Sequence, residues 1–540
     1  MGEPAVRVDD VRIPMRDGVA LAADLITLDD EVPRPTLLIR SPYSRAASRA
    51  AEDPVSLARL GWAVVIQDVR GRFESEGYFE PYLQEGVDGF DTVEWCAAQP
   101  WCDGRVAGWG SSYLGATQLR AAAERPPALV AISPWVTSGW QDEGWTYEGG
   151  AFQLGFVMPW AVMMAASNPR ATPAQLTKAF AAAGDDWGRL YRRALGSHPT
   201  RSLFTPFKRW TDQAHRKYWT PEATTKALRT ATTPAFFVAG WFDVFCDATL
   251  RTYDAFAAPR PNGDVLPTRI VVGPWTHARL FEDTAPEMAF GNSANGGAQD
   301  VRGEALRFLR ACVDGDTPAA TGAKLFVMGA NEWREFPAWP PASMPTDLFL
   351  ADEGALTTAP PPARGTDTFT YDPANPVPTC GGRTLGQFLP MAGPVDQRAV
   401  ETRDDVLVYS TDVLDADVTV IGVVEATIRF ATTGRSADVT VKLVDVHPDG
   451  RAMNVIDSVR RLDFTPGRAK DVPVTVGATA MTFKRGHRIR SEVSSSNFPR
   501  LDRNPSTGVH WGDATKLESA EQTVFVGGAR PSRLTLPVVS

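Results

Sequence analysis

Val106-Ala107-Gly108-Trp109-Gly110-Ser111-Ser112-Tyr113-Leu114-Gly115 is the stretch that decides how this chain folds. A short apolar strand runs into small residues and a serine, and an alanine-rich helical stretch follows from about Tyr113 to Ala123. This is the strand–turn–helix of a nucleophile elbow, which presents a serine hydroxyl on a tight, strained turn. Glycine precedes the serine because neighbouring backbone and the following helix approach closely there. The helix N-terminus then points its free N–H groups at any anion formed at the serine. The general pattern is G-x-S-x-G; Gly110-Ser111-Ser112 fits it, and the second glycine comes one residue late, at Gly115. A lone G-x-S is a weak signal, so its weight depends on partners.

The partners follow downstream in the order Ser, Asp, His of an α/β-hydrolase triad. Ala235-Phe236-Phe237-Val238-Ala239-Gly240 reads as a fully buried strand with Trp241-Phe242-Asp243 after it. Arg269-Ile270-Val271-Val272-Gly273-Pro274 reads as another, followed by Trp275-Thr276-His277. Each sets a carboxylate or an imidazole near the carboxyl edge of a strand, where open α/β sheets bind ligands. Of six histidines, His198, His215, His447, His487 and His510 lie in polar or turn-like settings or outside the αβ region, which leaves His277 as the candidate base. Ser112 is a weak nucleophile until a base takes its proton. His277 supplies that base and returns the proton to the leaving group. Asp243 holds the imidazole in the right tautomer and stabilises the imidazolium. The backbone N–H of Tyr113, the residue after the nucleophile, is the expected first oxyanion donor.

The elbow Gly110-Ser111-Ser112-Tyr113-Leu114-Gly115 resembles the G-x-S-Y-x-G of the bacterial cocaine esterase-like hydrolases. These belong to the X-prolyl dipeptidyl-peptidase superfamily, together with α-amino acid ester hydrolases and glutaryl acylases. Gln67-Asp68-Val69-Arg70-Gly71-Arg72-Phe73, Ser75-Glu76-Gly77 and Trp101-Cys102-Asp103-Gly104 are similar to that family as well. So are Gly240-Trp241-Phe242-Asp243, Gly273-Pro274-Trp275-Thr276-His277, Phe326-Val327-Met328-Gly329, Lys442-Leu443-Val444-Asp445-Val446 and Ser494-Ser495-Ser496-Asn497-Phe498-Pro499. The resemblance covers nearly the whole chain. It implies an α/β-hydrolase fold with a helical cap insertion, followed by a C-terminal all-β jelly-roll domain. It also implies that Tyr43, in Ser41-Pro42-Tyr43 after the strand Thr36–Arg40, donates its hydroxyl to the oxyanion, since no HGGG-type loop is present. Trp145, Trp160 and Phe245 resemble aromatic positions that line the family's acyl pocket.

Composition sets the frame. A chain of 540 residues is too long for one core, so two or three domains are expected. Hydrophobic content of 43% is that of an ordinary globular protein, and a net charge of −9 without a Lys/Arg cluster gives no sign of nucleic-acid binding. The N-terminus lacks the apolar core of a signal peptide, and the most apolar run, Phe156–Ala166, is too short to span a membrane. Five irregularly spaced cysteines without a CxxC pair argue against a metal site or a disulfide framework, although one pair closing by proximity stays open. The expectation is a cytoplasmic protein with no metal and no cofactor, acting on a small-molecule ester, with neither nucleic acid nor membrane as partner and a homodimer left open.

Strands and helices alternate from about Val6 to Pro134: Leu37–Arg40, Ala63–Asp68, Val106–Gly108 and Val130–Ser133 read as strands, Val87–Ala98 as a helix. Such alternation means a mostly parallel sheet covered on both faces. Helical spacing takes over from about Trp135 to Arg229, an insertion placed as a cap over the site. The αβ pattern resumes to about Ala330, with a helix at Asp300–Cys312 and a Pro-rich linker at 336–345. The expected domains are therefore hydrolase 1–134 and 231–335, cap 135–230, linker 336–345 and β-sandwich 346–540. Beyond Thr346, Leu348–Leu350, Asp405–Tyr409, Val418–Ala431, Ser436–Val446, Val474–Ala480, Arg488–Val493 and Thr523–Val526 read as strands, roughly the count of an eight-stranded jelly roll.

Two function classes follow. The leading one is a serine carboxylic ester hydrolase that takes small esters with a bulky, aromatic acyl group. Its enzymatic alternatives are an α-amino acid ester hydrolase or β-lactam acylase and an X-prolyl dipeptidyl-peptidase. Those must bury a free amine against carboxylates. The positions just after the triad Asp hold Phe245 and Cys246, with only Asp247 acidic; Asp142, Glu143 and Glu148 in the cap are the other candidates. The different class is a non-catalytic carbohydrate- or partner-binding protein. Of 16 tryptophans only Trp511 falls in the all-β part, which weakens that reading. Asp68 and Arg70 are expected to brace loops near the site rather than to act in it.

Overall fold

The computed structural model describes residues 5–168, 200–212, 221–385 and 391–539, with isolated positions 172, 174 and 177. His198 and His215 fall outside the described residues, as does part of the expected cap.

The chain opens with an antiparallel pair, β1 (Val6–Pro14) and β2 (Ala20–Leu28). No helix separates them, so the alternation read from Val6 begins only at β3 (Arg34–Ser41). Gly18 at φ 84° lets the chain reverse in the five residues between them, too few for a crossover helix. After β3 come α1 (Arg45–Glu52), α2 (Pro54–Arg59), β4 (Ala63–Asp68), α3 (Glu85–Ala97), β5 (Cys102–Ser111), α4 (Tyr113–Glu124) and β6 (Leu129–Trp135). The cap begins with a short hairpin, β7 (Tyr147–Glu148) and β8 (Ala151–Phe152), and α5 (Leu154–Ala166). Helices Thr200–Leu203, Thr205–Thr211 and Pro221–Arg229 are its other described elements.

The sheet resumes with β9 (Ala235–Phe242) and β10 (Thr268–Thr276), passes the small hairpin β11 (Thr284–Ala285) and β12 (Met288–Ala289), and closes with β13 (Gly322–Val327) and β14 (Glu332–Phe336). Its order is β1-β2-β4-β3-β5-β6-β9-β10-β13-β14. The seven central strands from β4 to β13 run parallel, and the antiparallel pairs sit at the edges. β4 and β9 are buried along their whole length, as strands covered on both faces must be.

β14 ends at Phe336 and the first strand of the second sheet, β15 (Met344–Ala351), begins eight residues on, so both flanks of the Pro-rich stretch are strand. Eleven strands form the second sheet among the described residues. The sequence reading missed Arg364–Tyr371, Ala452–Asp463 and Arg533–Val539 among them. In Arg364–Tyr371 and Arg533–Val539 buried positions are scattered among polar ones; the stretch Val459-Arg460-Arg461-Leu462-Asp463 hides the third in charge.

The two halves share one core. Trp241 and Phe326 of the first sheet, with Met328 just past β13, pack in the same apolar cluster as Ala480, Met481 and Val476 of the second. Backbone bonds cross the boundary, Met328 N to Ala480 O at 3.0 Å and Thr482 N to Met328 O at 2.8 Å. All five cysteines are free thiols. No described helix is long and apolar enough to cross a membrane.

Candidate active site

Ser112 stands between β5 and α4 at φ 57°, ψ −124°, a conformation that costs a non-glycine residue on the order of 1–3 kcal/mol. Its neighbours hold it there. The Ser112 amide donates to Trp135 O at 2.9 Å, and its carbonyl accepts from the Gly115 and Ala116 amides. A serine at a helix N-cap normally spends its hydroxyl on the first turn. Ser112 makes no such side-chain bond, so its oxygen stays available. The glycines are explained by contact: a Cβ on Gly110 would lie 2.7 Å from Leu114 Cβ, and one on Gly115 would lie 2.8 Å from Thr137 Cγ2. The amide of Tyr113, first in α4, donates to no acceptor among the described residues.

Asp243 and His277 meet because of a register shift. β9 and β10 are parallel neighbours, paired Gly240 to Gly273, and an irregularity then sets Thr276 beside Phe242. The next residues are Asp243 and His277. His277 Nδ1 lies 2.6 Å from Asp243 Oδ2, and Asp243 Oδ1 accepts from the Phe245 amide at 2.6 Å. Asp243 is fully buried. With a carboxylate on Nδ1, that nitrogen carries the proton and Nε2 is left as the basic position. The Phe245 ring stands edge-on to the imidazole at 5.3 Å.

Tyr43 follows β3, and its hydroxyl lies beside the Ser112 side chain. Trp160 Nε1 donates to the Tyr43 oxygen at 3.1 Å, which leaves the O–H free to donate. Burial pushes the Tyr43 phenol up to about 12, so it stays protonated across the working range of an esterase. The loop bearing Tyr43 is tied to the cap by Arg72, which the sequence motif names but assigns no role. Arg72 donates to Pro42 O at 2.9 Å, to Met164 O at 3.1 Å and to Ser167 Oγ at 2.7 Å. Burial lowers its guanidinium to about 10, against the opposing pull of Tyr113, Tyr43 and the Asp68 carboxylate. Tyr113 is fixed from below: its hydroxyl donates to Glu85 Oε1 at 2.9 Å, and Arg40 pairs with the other oxygen of Glu85 at 3.0 Å.

Trp145, Trp160 and Phe245 come together in one buried aromatic cluster with Tyr43 and Tyr113 against it. Trp145 stacks on Phe245 at 4.2 Å, and Trp160 stacks on Tyr113 at 6.1 Å. The acids weighed as amine partners are engaged elsewhere. Asp247 pairs with Arg383 at 2.6 Å and accepts from the Ala478 amide. Glu148 pairs with Arg500 at 2.5 Å, Glu143 accepts from the Gly149 amide, and Asp142 lies near the Arg120 and Arg251 cations. Trp511 packs on Phe152 of the cap at 5.4 Å and is buried, so it offers no platform for a sugar. Asp68 and Arg70 brace loops as expected, Asp68 on Arg45 and Arg70 on Asp88 and Asp17.

Arg383 reaches from the second domain to the end of β9. It donates to Trp241 O at 3.0 Å and to Ala478 O at 2.6 Å as well as to Asp247. Nothing near it in sequence announces this contact. Arg383→Ala would take this donor from two buried carbonyls and the cation from Asp247, a loss of about 2–4 kcal/mol. A clear drop in the thermal midpoint is expected, and Asp247→Asn is expected to lower it less. An unchanged midpoint for Arg383→Ala would refute this account of the interface.

The parallel sheet, the strained elbow and the Asp–His pair at adjoining strand ends are those of an α/β-hydrolase. Residues 17–279 match the X-Pro dipeptidyl-peptidase (S15) family, and residues 319–535 match the X-Pro dipeptidyl-peptidase C-terminal non-catalytic domain. The cocaine esterase of Rhodococcus sp. (strain MB1 Bresler) is 36% identical over 573 residues, 98% of each chain. The chain belongs to this family of cocaine esterase-like hydrolases in the X-prolyl dipeptidyl-peptidase superfamily. Among solved structures, an aminopeptidase from a marine sediment Thaumarchaeota archaeon superposes with a TM-score of 0.82 at 25% identity. An α-amino acid ester hydrolase does so with 0.81 at 25% identity. Both cover 99% of this chain and 97% of their own.

Proposed function

We propose that this protein hydrolyses small carboxylic esters with an aromatic acyl group through an acyl-enzyme on Ser112. The 2.6 Å contact of His277 with Asp243, beside the strained Ser112 elbow, carries the reading. His277 Nε2 takes the Ser112 proton as the oxygen attacks the ester carbonyl, then delivers it to the departing alcohol. Asp243 stabilises the imidazolium in between. The tetrahedral oxyanion is received by the Tyr113 amide and the Tyr43 hydroxyl, both preorganised before charge develops. Water then repeats the sequence on the acyl-enzyme, with His277 again as base.

Trp145, Trp160 and Phe245 are the acyl pocket in this reading. An aromatic acyl group gains about 0.5–1.5 kcal/mol from such rings beyond its area burial. A substrate with a free α-amine brings a cation that needs a buried carboxylate. The relatives named for aminopeptidase and amino acid ester hydrolase activity favour that second reading, but Asp247 and Glu148 are already held by arginines. Aromatic acyl esters are therefore expected to exceed matching amino acid esters by at least about tenfold in kcat/KM, a difference of about 1.4 kcal/mol. The test is a panel of p-nitrophenyl and benzoate esters, amino acid esters and X-Pro anilides, with Ser112→Ala as the control. A preference for free-amine substrates would overturn the acyl-pocket reading. Absence of turnover on every ester would overturn the proposal.

A further inference from the structure

The second domain carries a group of side chains that the hydrolytic site does not use. Asp445 lies at the end of the strand Ser436–Val446, and His447 follows that strand directly. Two residues apart, they share one face. His487 stands just before the antiparallel partner Arg488–Ser494, where Val446 pairs with Arg488. Continued by one residue, that register sets His447 opposite His487, and their rings lie 4.5 Å apart. His487 Nδ1 is 2.9 and 3.1 Å from the two oxygens of Asp445. His447 Nε2 is 3.3 Å from Asp445 Oδ2.

We propose that Asp445, His447 and His487 bind one divalent cation of the zinc class. Three observations carry this. First, the spacing fits. Ligand atoms each about 2.0–2.2 Å from a four-coordinate zinc stand about 3.3 Å from one another, and both ring nitrogens lie at about that distance from the carboxylate. Second, His447 Nε2 is buried and, although 3.3 Å from Asp445 Oδ2, makes no hydrogen bond among the described residues, a position that a protein rarely leaves unfilled. Third, the group faces a cavity of about 330 Å³ between the domains, lined also by Phe242, Met328 and Met481. Three protein ligands with a fourth position open to a cavity is the arrangement that leaves room for water or a small ligand.

The two nearby cations do not compete for the carboxylate: Lys484 is held by Asp417 at 3.0 Å and Arg451 by Asp449 at 2.8 Å. Imidazole and carboxylate donors suit Zn²⁺, Ni²⁺ and Cu²⁺ and do not suit Mg²⁺, which demands oxygen ligands. The expectation drawn from the cysteine pattern, no metal, did not weigh histidines brought together by strand pairing. The cation would pin two strands of the second domain beside Phe242, the residue before Asp243.

The test is titration calorimetry of the untagged, EDTA-stripped full chain with ZnCl₂. One Zn²⁺ per chain is expected, with a raised thermal midpoint and no response to MgCl₂. His447→Asn and His487→Asn are each expected to weaken binding by about tenfold or more. His277→Ala is expected to leave this zinc in place. Anomalous diffraction from a zinc-soaked wild-type crystal gives a reading that needs no variant: a peak is expected bonded to His447 and His487. Failure to bind zinc, binding unchanged in the double Asn variant, or an anomalous peak only elsewhere would each overturn the proposal.

Discussion

Ser112→Ala and His277→Ala are each expected to lower ester turnover by about 10⁴-fold or more while leaving the fold intact, because members of such a unit fail together. The double variant is expected to be no worse than either single one. Loss of Ser112 relieves the strain of a non-glycine residue at φ 57° only slightly, since alanine keeps a Cβ there. Thermal midpoints should therefore stay close to wild type. Asp243→Asn is expected to cost nearly as much, since an amide that turns its NH₂ toward His277 Nδ1 holds the wrong tautomer. Single-turnover kinetics on a p-nitrophenyl ester reads the effect directly. Near wild-type turnover by Ser112→Ala would remove the whole assignment.

Tyr43→Phe is expected to lower kcat by about 10²–10³-fold with a much smaller change in KM. The substitution removes one hydroxyl and hardly any volume, so the ring can keep its place against Tyr113. The asymmetry between kcat and KM is the signature, because the oxyanion exists only after attack. The pH profile adds a second check. Burial raises the Tyr43 phenol to about 12, so the group is a protonated donor below that pH and becomes a useless anion only above it. Wild type should therefore lose no activity to this group between neutral pH and about pH 10. An unchanged kcat in Tyr43→Phe would leave the second oxyanion donor unidentified.

The relation of the two expected effects follows from the architecture. Ser112, Asp243 and His277 sit on three strand ends of one rigid sheet. Tyr43 sits on a loop held by Arg72 to the cap helix. In the proposed mechanism the three strand-end groups make the nucleophile, and the loop group sharpens its response to charge.

By itself the sequence determined the class of fold, the nucleophile elbow and the order Ser112, Asp243, His277. These are local signals: a buried run of apolar residues, a glycine where a Cβ would strike Leu114, a polar residue at the strand end. The C-terminal β-domain was legible for the same reason wherever strands alternate or run apolar. Only tertiary structure decided the rest. The register shift between β9 and β10 that joins Asp243 to His277 is a property of two strands together. Arg383 meets Trp241 across 142 residues, and no composition or spacing within either segment encodes that meeting. Asp247, an acid open to an amine when read in sequence, is closed off by the same arginine. His447 and His487 face each other only because an antiparallel ladder sets them opposite. Periodicity reports which face of an element is buried, whereas which charge answers which is fixed only when distant elements pack.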